Sequence, residues 1–187
     1  TGAFNGMLLQ YMLCLWHESL MTAMSAIEIG GKQTRVKQMD MDTQNHFDAL
    51  VRTRYSCRRY NPDRNVSLPV LAACLDAARL APSACNRQPC RFIVVDDTEQ
   101  RKALIRAARR PGISHPWWDD VPVFVVLAVE RDVVTHRLAS AISGIPYHLL
   151  DAGIAGEHFI LSAASRGLGS CWIGWFREKP VKQLLTI

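Results

Sequence analysis

The sequence has no run of apolar residues that is long enough to cross a bilayer. A membrane helix needs about 20 consecutive apolar residues, and the most apolar stretch, residues 7–24, is interrupted by Gln10, His17 and Glu18. The same stretch lacks the basic start of a secretory signal peptide. We therefore expect a protein that neither spans a membrane nor carries a leader.

Motifs for metal ions and for the standard nucleotide sites are also missing. None of the six cysteines belongs to a C-x-x-C pair or has another cysteine or a histidine at metal-ligand spacing. This predicts no metal site and is typical of a reduced, cytoplasmic protein. The chain has neither a G-x-G-x-x-G turn nor a G-x-x-x-x-G-K-[ST] loop. We therefore do not expect a dinucleotide or nucleoside triphosphate bound in those ways.

Positive charge is in excess, with a formal net charge of +5 at pH 7. The basic residues are scattered apart from one cluster between Arg101 and Arg110, which we assign to the solvated face of a helix. No nucleic-acid recognition module is visible, so we expect no nucleic-acid partner. Attraction of small anionic molecules is the favoured consequence of the charge, and a basic binding module without catalysis stays the alternative.

The chain divides into an extension, residues 1–40, and one regular domain, residues 41–187. The extension is rich in methionine. We expect it to be poorly ordered, to form one helix over Leu8–Met24, or to be translated sequence upstream of a start at Met39 or Met41, and in each case to add little to the core. In the domain, periodicity and capping signals predict helices that begin near Asp42 and at residues 68, 98, 148 and 178. They also predict strands over residues 92–95, 123–129 and 170–176.

The predicted helix over residues 148–166 is apolar on nearly all sides, which is typical of a helix at the centre of an assembly. Gly153 and Gly156 each cost roughly 1 kcal/mol relative to alanine inside a helix. The close approach of a second subunit would offset this cost, and so would a tight crossing within one subunit. We favour the dimer interface.

Three segments carry candidate binding groups. The arginine turn, residues 54–60, combines guanidinium groups, which suit phosphate, with a serine hydroxyl. The amide loop, residues 81–89, displays hydroxyl and amide groups between two prolines. The aromatic segment, residues 167–176, offers an apolar wall beside the accessible backbone of Gly174.

Together these segments resemble the FMN-dependent nitroreductase family. The resemblance rests on RYSCRRY at residues 54–60, APSACNRQP at 81–89, DAGIAGEH at 151–158 and GLGSCWIGWF at 167–176, and it covers the chain from about residue 47 to its end. It implies an α+β fold in which a mainly antiparallel sheet is flanked by helices. It also implies a homodimer with two FMN sites at the interface.

The resemblance assigns roles to single residues. Arg54 and Ser56 are implied to contact the phosphate and ribityl chain of FMN, with Tyr55 contributing at the same turn. Arg58 is implied to be the cation near the N1/O2 edge of the flavin. The contacts implied to come from the partner subunit are Pro82, Ser83 and Asn86. The strand implied to lie over the flavin ring, with a backbone N–H near N5, contributes Trp172, Ile173 and Gly174.

The implied activity is that of an oxidoreductase in which NADH or NADPH reduces bound FMN and a nitroaromatic or quinone then takes the electrons in a ping-pong cycle. No general acid and no nucleophile is predicted, because the cofactor carries the chemistry. Related flavoproteins perform dehalogenation, enal or semialdehyde reduction, or flavin fragmentation, and these reactions remain alternatives.

Three departures from the family pattern stand out. Cys90 takes a position where the family usually has an aromatic residue, so the wall there is expected to be thinner. In the family, relatives continue beyond Ile187 into a segment that adds a strand to the partner's sheet and basic residues near the phosphate. Two alternatives follow: either the full protein is longer than this sequence, or its phosphate site is incomplete. The first forty residues have no family counterpart.

Overall fold

The computed structural model describes residues 7–17, 41–113, 115–130 and 140–187. Its strands are β1 (Met7–His17), β2 (Cys90–Val95), β3 (Val123–Glu130) and β4 (Leu168–Ile173). Its helices are α1 (Met41–Thr53), α2 (Leu68–Arg79), α3 (Thr98–Ala108), α4 (Ser140–Ser143), α5 (Tyr147–Ala164) and α6 (Glu178–Leu185). Two short 3-10 turns cover Ala84–Asn86 and Pro116–Trp118.

The four strands form one sheet in the order β2-β3-β1-β4, and every neighbouring pair is antiparallel. Strand β3 is buried along residues 123–129, on both faces of the sheet. Helices α3 and α6 cover one face, where Leu104, Phe124 and Val181 share a buried cluster. Helices α2 and α5 pack together and cover the other face, where Leu71, Val125 and Phe159 are buried. The expected α+β fold with an antiparallel sheet between helices is therefore confirmed.

Local sequence signals explain where the helices begin. Asp97 caps α3, because its carboxylate accepts hydrogen bonds from the backbone N–H groups of Glu99 and Gln100. Helix α2 begins directly after Ser67 and has a proline in its first turn, where no backbone N–H is needed. Of the expected helix and loop between residues 131 and 147, α4 is a single turn, and residues 131–139 lie outside the described residues.

Strand β1 corrects the expectation for residues 1–40. Residues 7–17 form neither a helix nor a poorly ordered extension but a strand between β3 and β4. The run from Met7 to Trp16 carries no charged side chain, so its apolar pattern fits a buried strand as well as a helix. β1 forms backbone hydrogen bonds with β3 along one edge and with β4 along the other. Local residue propensity alone does not reveal these partners. The rest of the predicted helix, residues 18–24, lies outside the described residues.

The two glycines of α5 have different surroundings. A Cβ atom added at Gly156 would overlap the six-membered ring of Trp172 on β4, whereas nothing lies within 4 Å of a Cβ added at Gly153. Gly156 therefore allows α5 and β4 of one subunit to pack closely, which is the second of the two explanations that the sequence allowed. Gly153 lies on the exposed side of the helix.

Candidate functional site

The arginine turn is attached directly to β4. Ser56 forms a parallel bridge with Ser170, and the backbone N–H of Cys57 donates to the carbonyl of Ser170 at 2.9 Å. The hydroxyl of Tyr60 donates to the carbonyl of Cys57 at 2.8 Å, and both side chains are buried. The turn is therefore anchored through its buried residues Cys57 and Tyr60, and its arginine side chains lie outside the core.

Three guanidinium groups of the turn carry charge without a carboxylate partner in the described part of the chain. They belong to Arg54, which is half-buried, and to Arg58 and Arg59, which are exposed. The charge of Arg58 reaches β4, since it opposes the rise that burial causes in the pKa of the Cys171 thiol. The guanidinium group of Arg58 is therefore close enough to β4 to act on Cys171.

The amide loop is held in a strained conformation. Cys85, Asn86 and Gln88 have φ angles of 50°, 52° and 50°, a left-handed region that each such residue occupies at a cost of order 1–3 kcal/mol. The Ser83 hydroxyl accepts a hydrogen bond from the backbone N–H of Gln88 at 2.8 Å. Strain of this kind persists where the surrounding structure enforces it, and it is typical of loops that hold ligands.

The aromatic segment divides its side chains between the two faces of the sheet. Trp172 is half-buried and lies against the Gly156 backbone of α5. The side chain of Ile173 is buried in the cluster under α3 and α6, so only its backbone can contact a ligand. Gly174 and Trp175 follow the strand and are exposed. Gly174 therefore presents a bare backbone at the end of β4.

A match to known proteins covers the same part of the chain. A sequence model described as "Nitroreductase family" matches residues 51–114 and 106–187. A protein of Archaeoglobus fulgidus, provisionally named NADH dehydrogenase/NAD(P)H nitroreductase, is 34% identical in an alignment of 148 positions that covers 74% of this chain and 75% of that protein.

The chain belongs to the nitroreductase family. Solved structures of that family share its fold. A nitroreductase family protein from Clostridium novyi NT is similar with a TM-score of 0.65 and 27% identity, over 75% of this chain and 76% of that one. An FMN-dependent nitroreductase from Clostridium difficile R20291 is similar with a TM-score of 0.57 and 29% identity, over 72% and 75% of the two chains.

Within this nitroreductase fold, the structure brings two of the three predicted segments together. The arginine turn and β4 meet through the bridge of Ser56 to Ser170. The amide loop is attached elsewhere: Asp151 of α5 holds Ala84, and the carbonyl of Pro89 accepts a hydrogen bond from the N–H of Glu130 on β3. Pro82 and Asn86 are exposed on this loop, while Ser83 is half-buried.

Asp151 is the residue that the sequence analysis missed as part of the site. It is 3% exposed, and its carboxylate accepts a hydrogen bond from the N–H of Ala84 at 2.8 Å. Together with burial, which is the larger cause, its charge raises the pKa of the Cys90 thiol to about 12. The available signal was a single carboxylate inside the apolar sequence Leu149–Ala152, because a buried charge needs a specific partner.

The described residues offer neither a metal site nor a membrane span. Among the residues that the structure covers, no group of three or more His, Cys, Asp and Glu side chains is arranged to hold a metal ion. No described helix is long and apolar enough to span a bilayer.

Proposed function

We propose that this chain is an NAD(P)H-dependent oxidoreductase that binds FMN between the arginine turn and the end of β4, and that it reduces nitroaromatic or quinone acceptors in a ping-pong cycle. The observation that carries the proposal is the attachment of the arginine turn, whose three guanidinium groups have no carboxylate partner among the described residues, to strand β4, which Gly174 follows directly. One place thus combines a cationic pocket wall with an accessible backbone.

The donor groups present fit FMN. Arg54 and Ser56 supply the charge-assisted and hydroxyl contacts that a terminal phosphate requires, with Tyr55 at the same turn. Arg58 supplies positive charge toward the ring. Phosphate binding here needs no glycine-rich nucleotide motif, in agreement with the absence of such motifs from the sequence.

When bound, FMN supplies the redox chemistry by taking two electrons from a reduced nicotinamide and passing them to the acceptor. The protein contributes position and charge. The backbone of Gly174 and the ring of Trp172 form one wall, and Arg58 stabilises negative charge that accumulates nearby. Because the reductant and the acceptor use the same open face in turn, the site needs no second substrate pocket.

The protein is proposed to act as a homodimer. Helices α1 and α5 pack together and leave large apolar side chains exposed: Phe47, Val51, Leu150 and Ile154. The open side of Gly153 belongs to the same helix α5. An exposed apolar surface of this kind is typical of a subunit interface. A second subunit on it would allow Ser83 and Asn86 of one chain to reach the flavin of the other.

The test is the visible spectrum of the purified protein. We expect a yellow protein with the absorbance bands of an oxidised flavin, and FMN in the supernatant after denaturation. NADH or NADPH under anaerobic conditions should bleach the bands, and a nitroaromatic or a quinone should restore them without the nicotinamide present. A colourless protein that takes up no FMN on reconstitution would favour the basic binding module, and bleached flavin that neither acceptor restores would favour another reaction of the fold.

A further inference from the structure

An arginine and an exposed tryptophan lie together beside the proposed flavin site. The Cζ atom of Arg110 lies over the ring of Trp175, 5.9 Å from its centroid. Trp175 is 65% exposed and follows Gly174 directly in the chain. The N–H of Arg177 donates to the carbonyl of Ala108 at 2.9 Å, so the end of α3 and the segment after β4 are fixed relative to each other.

Arg110 differs from the arginine before it in the chain. Its neighbour Arg109 forms an ion pair with Asp119 at 2.5 Å, whereas no carboxylate pairs with Arg110 among the residues for which side chains are described. A guanidinium group over an aromatic ring keeps N–H donors for other partners. The ring also limits the positions that the arginine side chain samples, so less conformational entropy is lost when an anion binds.

We propose that Arg110 and Trp175 form a subsite for the anionic group of a planar aromatic substrate. The indole provides an apolar face for the substrate ring, and the guanidinium binds a carboxylate or phosphate through two N–H groups. This inference rests on the proposed function, because Gly174 next to Trp175 marks the place of reaction. It adds a preference for substrates that carry a negative charge.

Two sources could supply that anion, namely a carboxylate on the electron acceptor or the additional phosphate of NADPH. Kinetics of the holoenzyme with matched substrates distinguish them. One arm compares 4-nitrobenzoate with nitrobenzene at a fixed concentration of NADH, and the other compares NADPH with NADH at a fixed concentration of a neutral quinone.

The variants are Arg110→Ala and Arg110→Lys, with Arg106→Ala as the control. Arg106 is an exposed arginine in the last turn of α3, the helix that ends two residues before Arg110, so its removal changes the net charge equally without removing the guanidinium over Trp175. We expect Arg110→Ala to raise KM for the anionic member of one pair about tenfold, as the loss of a charge-assisted hydrogen bond predicts. KM for the neutral member should stay unchanged, and Arg110→Lys should lie between.

Equilibrium binding gives a readout that does not depend on the reaction. Binding of 4-nitrobenzoate or of NADPH should quench tryptophan fluorescence in the wild type, and Trp175→Phe should remove part of that quenching. Arg110→Ala should raise the dissociation constant of the anionic ligand about tenfold, and Arg106→Ala should leave it unchanged.

The outcomes separate the subsite from the proposed function. If Arg110→Ala leaves the ratio of anionic to neutral KM unchanged in both arms, the subsite is overturned while a normal flavin content upholds the proposed function. If the wild type holds no flavin, the proposed function fails and the fluorescence titration alone decides the subsite. If Arg106→Ala and Arg110→Ala weaken anion binding equally, the effect is one of net charge and the subsite is overturned.

Discussion

Asp151 and Ala84 join the start of α5 to the amide loop, 67 residues earlier in the chain, through a hydrogen bond of 2.8 Å. The carboxylate is buried, and the loop that it holds contains three residues with left-handed φ angles. A charged acceptor at this point offsets part of the cost of that conformation. Helix α5, which carries the proposed dimer surface, thereby also sets the position of the loop that is proposed to reach the second flavin.

Replacement of Asp151 should loosen the amide loop. In Asp151→Ala the N–H of Ala84 loses its acceptor, so we expect the free energy of unfolding to fall by about 1–3 kcal/mol and FMN to bind more weakly. Asp151→Asn is the matched control, because it keeps an acceptor oxygen of the same size and loses only the charge. Urea unfolding and a fluorescence titration with FMN measure the two effects. If Asp151→Ala binds FMN as the wild type does, the loop does not depend on this hydrogen bond.

Several helices and strands could be predicted from the sequence because local signals determine them. The N-cap at Asp97 and the continuous apolar run of β3 each determine an element without help from distant residues. Ser67 precedes α2 as predicted, but its side chain makes no capping hydrogen bond. The arginine turn was likewise predicted as a group, because its residues are adjacent in the chain.

The errors concern contacts between distant residues. Sequence shows that Gly156 is costly in a helix but not that the ring of Trp172 fills the space of its missing side chain. The sequence shows an apolar run from residue 7, but it does not show that β3 and β4 pair with this run and so make it a strand. Asp151 belongs to the same class, since its partner Ala84 is remote in the chain.

The arginines of the turn should differ in what they do. Removal of Arg54 deletes a charge-assisted contact to phosphate, worth roughly 1.5–3 kcal/mol, so FMN affinity should fall about tenfold. The fall should be steeper at low salt, where charge interactions are less screened. Removal of Arg58 should instead lower the reduction potential of the bound flavin, because negative charge on the reduced ring loses its cation.

The control for both variants is Arg52→Ala. Arg52 is an exposed arginine at the end of α1, and its loss changes the net charge without altering the turn. Fluorescence titration at two salt concentrations gives the affinities, and spectroelectrochemistry of the loaded protein gives the potential. Equal FMN affinity in the wild type and Arg54→Ala would contradict the assignment of the phosphate contact.

Strand β1 should make the N-terminal segment necessary for stability. Removal of residues 1–38 would expose the backbone edges of β3 and β4 that now pair with β1, and unpaired edges favour aggregation. We expect a lower melting temperature and more aggregation than in the full chain. A shorter truncation, of residues 1–6, leaves β1 intact and is the control. An unchanged melting temperature after the long truncation would show that the sheet does not need this strand.

The glycines of α5 offer the sharpest comparison, because one helix contains both an enclosed and an open position. In Gly156→Ala the new methyl group overlaps the Trp172 ring, and overpacking of this kind costs about 1–3 kcal/mol. The displaced ring should also weaken FMN binding.

In Gly153→Ala the methyl group meets open space, so each subunit should gain up to about 1 kcal/mol in helix propensity. Gly153→Leu extends the same position toward the proposed partner and should yield monomers in light scattering with less bound flavin. If Gly156→Ala and Gly153→Ala unfold at the same temperature, Gly156 does not pack closely against Trp172. If Gly153→Leu stays dimeric with full flavin content, the interface lies on another surface of the protein.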